Sequence, residues 1–257
     1  MTSYSIDNIG ICVDKLQSIT RVIELWVKTD IRHKYVVCVD GFSLGLQVLD
    51  REYRFALQKA NIGLPGSSGS VLALRINGVN DVSRIAGRDI FCSLNETANE
   101  EEWRYYFLGS DEESLRRLEG RIKKDYPNIV IAGAYSPPFT ETFDPFENKR
   151  IITDINNSRP NIVWVGLGAP KQEKWLSENA KYLDANVSIA IGAVFDYYSG
   201  KEKEVPPSIQ RLGLEGIHRM LFQPSTKMLK RIFVYLPIML VVSLINVFNS
   251  FSRRGSR

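Results

Sequence analysis

The chain reads as an α/β protein: a parallel sheet sandwiched between helices, followed by a helical C-terminal appendage. Three observations predict this. From Tyr35 to Ile191, short apolar runs rich in β-branched residues alternate with segments of helical spacing, the order that builds parallel strands with crossover helices. One of those runs, Ile162 to Val165, is apolar throughout, as a strand covered on both faces requires. The C-terminal part then changes character. Residues 201–257 hold ten Lys/Arg against three Asp/Glu, so a basic appendage follows an acidic body although the whole chain carries only +4. The division is a core over 1–200 and an appendage over 201–257. At 257 residues and 44% hydrophobic content the chain can bury one large domain or two small lobes.

Taken in order, the first 30 residues predict only a helix over 14–27. Tyr35 to Val39 is a strand, Phe42 to Lys59 has helical spacing, and Asn61 to Leu64 is a second strand. Pro65-Gly-Ser-Ser-Gly-Ser70 is a turn that leads into a helix over 71–76, and Arg84 to Phe91 opens another. Tyr105 to Leu108 is a strand ending in Gly109-Ser-Asp, Glu112 to Lys124 a helix, Asn128 to Ala132 a strand and Ile151 to Asn156 a short helix. The strand opening at Ile162 and the strand Val187 to Ile191 complete the sheet. No internal repeat or low-complexity linker interrupts this order.

Cysteines Cys12, Cys38 and Cys92 are scattered and odd in number, which points to a reducing compartment rather than a disulfide framework. The N-terminal residues have neither a basic start nor a long apolar core, so a cleaved secretory signal is not expected. The basic appendage calls for an anionic partner, phospholipid or nucleic acid. Ile232 to Phe248 decides against nucleic acid: it is uncharged and flanked by Lys227, Lys230 and Arg231 before and Arg253, Arg254 and Arg257 after. It is short for a span of about 20 residues, and Pro237, Ser243 and Asn246 interrupt it. An interfacial or re-entrant membrane helix, a true span, and a helix docked on the core or in a homo-oligomer all fit it.

The most informative stretch is Asn161 to Trp175, reading Asn-Ile-Val-Trp-Val-Gly-Leu-Gly-Ala-Pro-Lys-Gln-Glu-Lys-Trp. It is a buried strand, a glycine turn at Gly166 and Gly168, and a helix opening at Pro170. Lys171 and Gln172 fall where unpaired helix-start N–H groups favour an anion such as a nucleotide phosphate. The loops after two other strands, Gly109-Ser-Asp and Gly133 to Phe139, belong to the same sheet edge, where open α/β sheets bind nucleotides.

The string Gly166 to Trp175 resembles the signature of the WecG/TagA/CpsF glycosyltransferases (glycosyltransferase family 26). Gly192-Ala-Val-Phe-Asp-Tyr-Tyr-Ser-Gly200 is similar to that family's Gly-Ala-Phe-Asp-Phe-x-x-Gly element. Arg211-Leu-Gly-Leu-Glu-Gly-Ile-His-Arg219, followed by Pro224, is similar to its Arg-x-x-Gly-Leu-Glu-Trp-x-x-Arg tail. The likeness runs from about Val36 to Phe233. It implies a Rossmann-like core with a membrane-associating appendage, and transfer of a sugar from a UDP-sugar to a polyprenyl-diphosphate-linked acceptor in surface polysaccharide synthesis. That chemistry is inverting and metal-independent, at the cytoplasmic face of the plasma membrane. It implies no cofactor. The sequence has no Asp-x-Asp element, and His33 and His218 are isolated, so no metal site is expected. A nicotinamide enzyme is a poor alternative without a Gly-x-Gly-x-x-Gly fingerprint.

The resemblance places Gln172 by the donor. It makes Arg84, in a string similar to Arg-Val-x-Gly-x-Asp, a phosphate clamp, against a plain ion pair with Asp89. Tyr135 or Phe139 becomes a platform for the uracil ring. Arg211, Arg219 and Arg231 face the leaving diphosphate, against simple membrane-surface charge. Two departures stand out. Cys38 and Asp40 occupy the positions of the family's Thr-x-Asn. Leu64-Pro-Gly-Ser-Ser-Gly69 replaces Leu-Pro-Asp-Gly-x-Gly, so Gly66 stands where the family's proposed base stands. An inverting transfer needs a base at the acceptor hydroxyl. Asp40, at a strand end in the same pocket, is the candidate, with a helix N-cap as its alternative role. The competing reading of the chain is a non-catalytic scaffold of an exopolysaccharide assembly.

Overall fold

The computed structural model describes residues 1–202, 205, 206, 209, 218, 221 and 229–254. It opens with a hairpin where the sequence predicts nothing definite. β1 (Ser3–Ile6) and β2 (Ile9–Cys12) pair antiparallel with Ile6 opposite Ile9. The two turn residues, Asp7 and Asn8, both have positive φ, 49° and 66°, the geometry whose twist matches flanking strands. α1 (Leu16–Lys28) follows, buried through Ile19 and Ile23.

Six strands then form one parallel sheet: β3 (Lys34–Val39), β4 (Ile62–Pro65), β5 (Arg104–Gly109), β6 (Val130–Tyr135), β7 (Ile162–Gly166) and β8 (Val187–Ala190). Their order is β4-β3-β8-β7-β5-β6. Because every pairing is parallel, all six strands end on one edge. Alternate residues of β5 serve opposite faces. Tyr105 and Phe107 join the core under α1, α5 (Gly87–Glu100), α6 (Glu112–Asp125) and α9 (Val194–Tyr198). Tyr106 and Leu108 join the core under α2 (Gly41–Leu49), α3 (Arg51–Lys59), α4 (Ser68–Ile76), α7 (Pro145–Ser158) and α8 (Lys171–Asn179). Burial on both faces is why the strands read as continuous apolar runs.

Four predicted elements shift. The helix expected over 42–59 is broken at Asp50, which is extended (φ −124°, ψ 103°) and caps α3 by accepting from Tyr53 N. Asp50 also pairs with Lys174 Nζ at 2.8 Å, tying the break to α8. β6 starts two residues later than expected, because Ile129 N closes a turn onto Tyr126 O. α7 is much longer than the expected 151–156. Its start carries the usual signals, Asp144 accepting from Phe146 and Glu147 N–H and Pro145 in the first turn. Pro170 is the N-cap of α8 rather than part of its first turn.

The C-terminal segment returns to the body. A π-helical turn, Arg231–Tyr235, leads into α10 (Leu236–Arg254). α10 lies on α2, α4 and β1. Close approach is possible because α2 has no side chain at Gly45, where a Cβ would stand 2.2 Å from the Tyr235 carbonyl oxygen. Met239 and Ser243 are fully buried. Asn246 accepts from Asp7 N at 3.3 Å and donates to Ser5 O and Asn77 Oδ1. So Ser243 and Asn246, which interrupt the apolar run, form the docking face. The other side is largely exposed: Phe233 is 68% and Phe248 71% exposed, with Val241, Leu244 and Ile245 between them. Residues 231–249 are long and apolar enough to cross a membrane, with mean hydropathy 2.1. In this structure one side is already taken by protein.

Candidate active site

The carboxyl edge of the sheet collects the loops after all six strands. At the end of β3, Asp40 caps α2: its Oδ1 accepts from Ser43 N at 2.6 Å and from Ser43 Oγ at 2.8 Å. Tyr53, fully buried on α3, donates to Ser43 Oγ at 2.9 Å. Burial, then the neighbouring charges of Glu173 and Asp40, hold the Tyr53 hydroxyl far above its ordinary pKa, so it remains a donor. The cap and the base are therefore compatible roles for Asp40. The cap uses Oδ1, and Oδ2 makes no hydrogen bond among the described residues.

Beside Asp40 lies the turn at the end of β4. Ser67 Oγ accepts from Gly41 N and Ser70 N, and the backbones of Gly41 and Gly69 approach so closely that a Cβ at Gly69 would lie 3.1 Å from Gly41 Cα. A Cβ at Gly66 would lie 3.1 Å from Cys38 Cβ. Gly66 and Cys38 thus face each other across the two strand ends. The Cys38 thiol is pushed well above its usual range by desolvation and by the carboxyls of Glu173, Asp40 and Asp89, and stays neutral.

At the end of β7, Gly168 has φ +79° and open space beside its α-carbon. Gln172, 4% exposed, folds back on that turn, its Oε1 accepting from Gly168 N at 3.2 Å. Its Nε2 donates to Glu173 Oε1 at 2.8 Å. Glu173 is 1% exposed and its Oε2 has no hydrogen-bond partner. Burial raises its pKa to about 7; the hydrogen bond from Gln172 opposes this, and the charges of Asp40 and Arg231 act in opposite directions. Arg231 reaches the pocket from the C-terminal segment, its guanidinium 4.6 Å from the centre of the Phe42 ring. Phe42 in turn meets Tyr235 edge-on at 4.8 Å.

Asp40, Gly168, Gln172 and Arg231 are thus brought together. Other expected site residues are engaged elsewhere. Gly109 (φ +119°) and Gly166 make room for the protein itself: a Cβ at Gly109 would lie 2.5 Å from Gly166 C, and one at Gly166 would lie 2.6 Å from the Phe195 ring. Close strand-end packing, rather than ligand approach, accounts for both. Lys171 Nζ donates to Thr140 O at 2.7 Å and lies 3.6 Å from the Phe143 ring centre; desolvation lowers its pKa. Tyr135 donates to Glu147 Oε1 at 2.6 Å, and the Arg150 guanidinium covers its ring at 4.8 Å. That ring face is not free for a base, whereas Phe139 is fully exposed. Arg84 lies before α5, where Ile85 N donates to Pro65 O, and pairs with Asp89 at 4.0 Å. Arg211 and Arg219 lie outside the described residues.

Two features escape the sequence reading. Glu173 is one: it lies three residues before the buried Leu176, so the helical stripe could have flagged a carboxyl facing inward. The other is the Ser110 tie, in which Ser110 Oγ donates to Asp196 Oδ1 at 2.9 Å and Ser110 O accepts from Ser136 Oγ. It joins the loops after β5, β6 and β8. Among the described residues no group of three or more His, Cys, Asp or Glu side chains is placed to hold a metal ion.

Residues 6–253 match the model of the glycosyl transferase WecG/TagA/CpsF family. The chain belongs to the WecG/TagA/CpsF glycosyltransferase family. It is 33% identical over 177 residues to an N-acetylglucosaminyldiphosphoundecaprenol N-acetyl-beta-D-mannosaminyltransferase of Bacillus subtilis (strain 168), covering 69% of this chain and 67% of the relative. It is 32% identical over 184 residues to an enzyme of the same description from Bacillus spizizenii, covering 71% and 69%. As a WecG/TagA/CpsF glycosyltransferase, the chain is a sugar-transferring enzyme with a Rossmann-like sheet.

Proposed function

We propose that this glycosyltransferase moves a sugar from a UDP-sugar to a polyprenyl-diphosphate-linked acceptor during surface polysaccharide synthesis, with inversion and without a metal. The observation that carries the reading is the meeting of a carboxylate oxygen with no hydrogen bond among the described residues (Asp40 Oδ2), a glycine turn with a helix start (Gly168 to Gln172) and a cation (Arg231) at one sheet edge. The start of α8 suits the donor's diphosphate. Asp40 takes the proton of the acceptor hydroxyl as its oxygen bonds to the sugar's anomeric carbon. The bond from that carbon to the diphosphate breaks, and its electron pair leaves with the nucleotide. Arg231 meets the charge that develops there; the family resemblance adds Arg211 and Arg219, which lie outside the described residues.

The relatives' names state an N-acetylglucosaminyldiphosphoundecaprenol acceptor and transfer of an N-acetyl-beta-D-mannosaminyl group, which favours a similar lipid-linked acceptor here. UDP-N-acetylmannosamine, its uronic acid and UDP-glucose are the candidate donors. The exposed side of α10, with Phe233, Val241, Leu244, Ile245 and Phe248, would lie in the headgroup region of the cytoplasmic leaflet as a monotopic anchor. It would bring the pocket to the lipid with the basic flanks on anionic headgroups.

Titration of UDP-sugars against Gln172→Ala tests the donor side. Gln172 links Gly168 to Glu173, so its loss should weaken UDP-sugar binding by about 1.5–3 kcal/mol, the range for a hydrogen bond involving a charged group. Unchanged affinity would remove Gln172 from the donor site.

A further inference from the structure

Glu173 occupies the third position of α8. A glutamate there ordinarily reaches back to the backbone N–H of the N-cap residue. Here the N-cap is Pro170, which has no N–H. Oε1 is occupied by Gln172 Nε2 at 2.8 Å, and Oε2 is left buried and unpartnered. A buried carboxylate with an unfilled oxygen is costly, whereas a carboxylic acid leaves only a hydroxyl to satisfy. The groups facing it do not supply a compensating ion pair. From β3 come Asp40 and the neutral Cys38 thiol, and from α3 the neutral Tyr53 hydroxyl. Lys174, next along α8, is taken by Asp50 and Glu52. Arg231 acts on Glu173 through space and is stacked on Phe42.

We infer that Glu173 is a positioning residue for sugar transfer: a neutral carboxyl that holds the Gln172 amide on the Gly168 turn and adds no second negative charge beside Asp40. It rests on the donor reading proposed above. Since Oε1 accepts from Gln172, the proton sits on Oε2. Loss of that proton puts a second negative charge beside Asp40 and beside the start of α8, where the donor's diphosphate would bind. UDP-sugar affinity should therefore fall as pH rises through about 7, the value to which burial raises Glu173.

The linkage has a definite sign. Stability contributed by the neutral form is present in full below the ordinary glutamate range and is lost as pH rises through about 7. Glu173→Gln, the isostere of the protonated acid, should abolish both effects.

The test uses the full chain in detergent and its Glu173→Gln and Glu173→Ala variants, with a UDP-sugar whose diphosphate does not titrate near neutrality. Wild-type affinity should fall between pH 6.5 and 8.5, by up to about 25-fold, the limit for one proton with a pKa near 7 when only the protonated form binds. Glu173→Gln should bind as wild type does at pH 6.5 and hold that affinity to pH 8.5. Glu173→Ala, unable to hold Gln172, should bind weakly at every pH. The melting temperature of Glu173→Gln relative to wild type should rise between pH 5 and 8.5. A flat difference overturns the neutral carboxyl. A rising difference with pH-independent wild-type affinity overturns the positioning role. A wild type that binds no UDP-sugar at any pH sinks the donor reading instead, and the neutral carboxyl is then decided by the melting temperatures.

Discussion

Asp40→Asn is expected to cut the rate of sugar transfer by roughly 10²–10⁴-fold, the usual cost of losing a general base. UDP-sugar affinity should stay close to wild type. Asparagine still accepts from Ser43 N and Oγ through its side-chain oxygen, so the cap on α2 survives. What disappears is the proton acceptor at Oδ2. The loss should appear in kcat, because neither substrate's binding depends on that proton. Returning a carboxylate from the other strand end, with Gly66→Asp in the same chain, should restore part of the rate. Restoration will be incomplete, because the new Cβ would stand 3.1 Å from Cys38 Cβ and the ends of β3 and β4 must yield by a few tenths of an ångström. Wild-type turnover in Asp40→Asn would reduce Asp40 to a cap.

The second large effect is expected at Gly45, on α2. A leucine there drives a side chain into the Tyr235 carbonyl, which would lie 2.2 Å from the new Cβ. Neither α2 nor the π turn can absorb that overlap in place, so the segment 231–235 must lift. Arg231 leaves Phe42 with it, and the transition-state charge loses a cation. Removing one such group costs on the order of 100-fold in rate. The apolar side of α10 is untouched, so Gly45→Leu should still pellet with anionic liposomes. Deleting the residues after Arg231 should do the converse: membrane binding is lost while the sheet stays folded. If Gly45→Leu keeps full activity, Arg231 acts from elsewhere or not at all. If the truncated chain pellets as before, α10 is not the anchor.

Much of this architecture was legible because the sheet is covered on both faces. The apolar runs at β3, β5 and β7 and the glycine turn after β7 announce themselves locally, and parallel topology then brings their ends to one edge without further information. The β1–β2 hairpin was not among the predicted elements; its one local sign, Asp7-Asn8 between Ile6 and Ile9, is the composition of a two-residue turn. The break at Asp50 was not. It is set by a cap and by Lys174 from α8, a partner distant in the chain. The same is true of the site. Tyr135 and Lys171 lie at the expected strand ends, but Glu147, Arg150, Thr140 and Phe143 engage them. Glu173 hid for the opposite reason: a charged residue at a helix start usually faces water, and only tertiary packing buries it. In α10, Ser243 and Asn246 look like defects in a span, but the Ser243 hydroxyl donates to Met239 O within the helix while the hairpin and Asn77 supply the partners of Asn246.

The most direct measurement is transfer itself. The full chain is to be incubated with vesicles carrying polyprenyl-diphosphate-linked N-acetylglucosamine and with each of the candidate UDP-sugars, in the presence of a chelator. The account predicts a lipid product longer by one sugar, formed with one donor, with inverted anomeric configuration, and absent with Asp40→Asn. No product with any of these donors, from protein that is folded and bound to the vesicles, would contradict it and leave the chain a binding subunit with a glycosyltransferase fold.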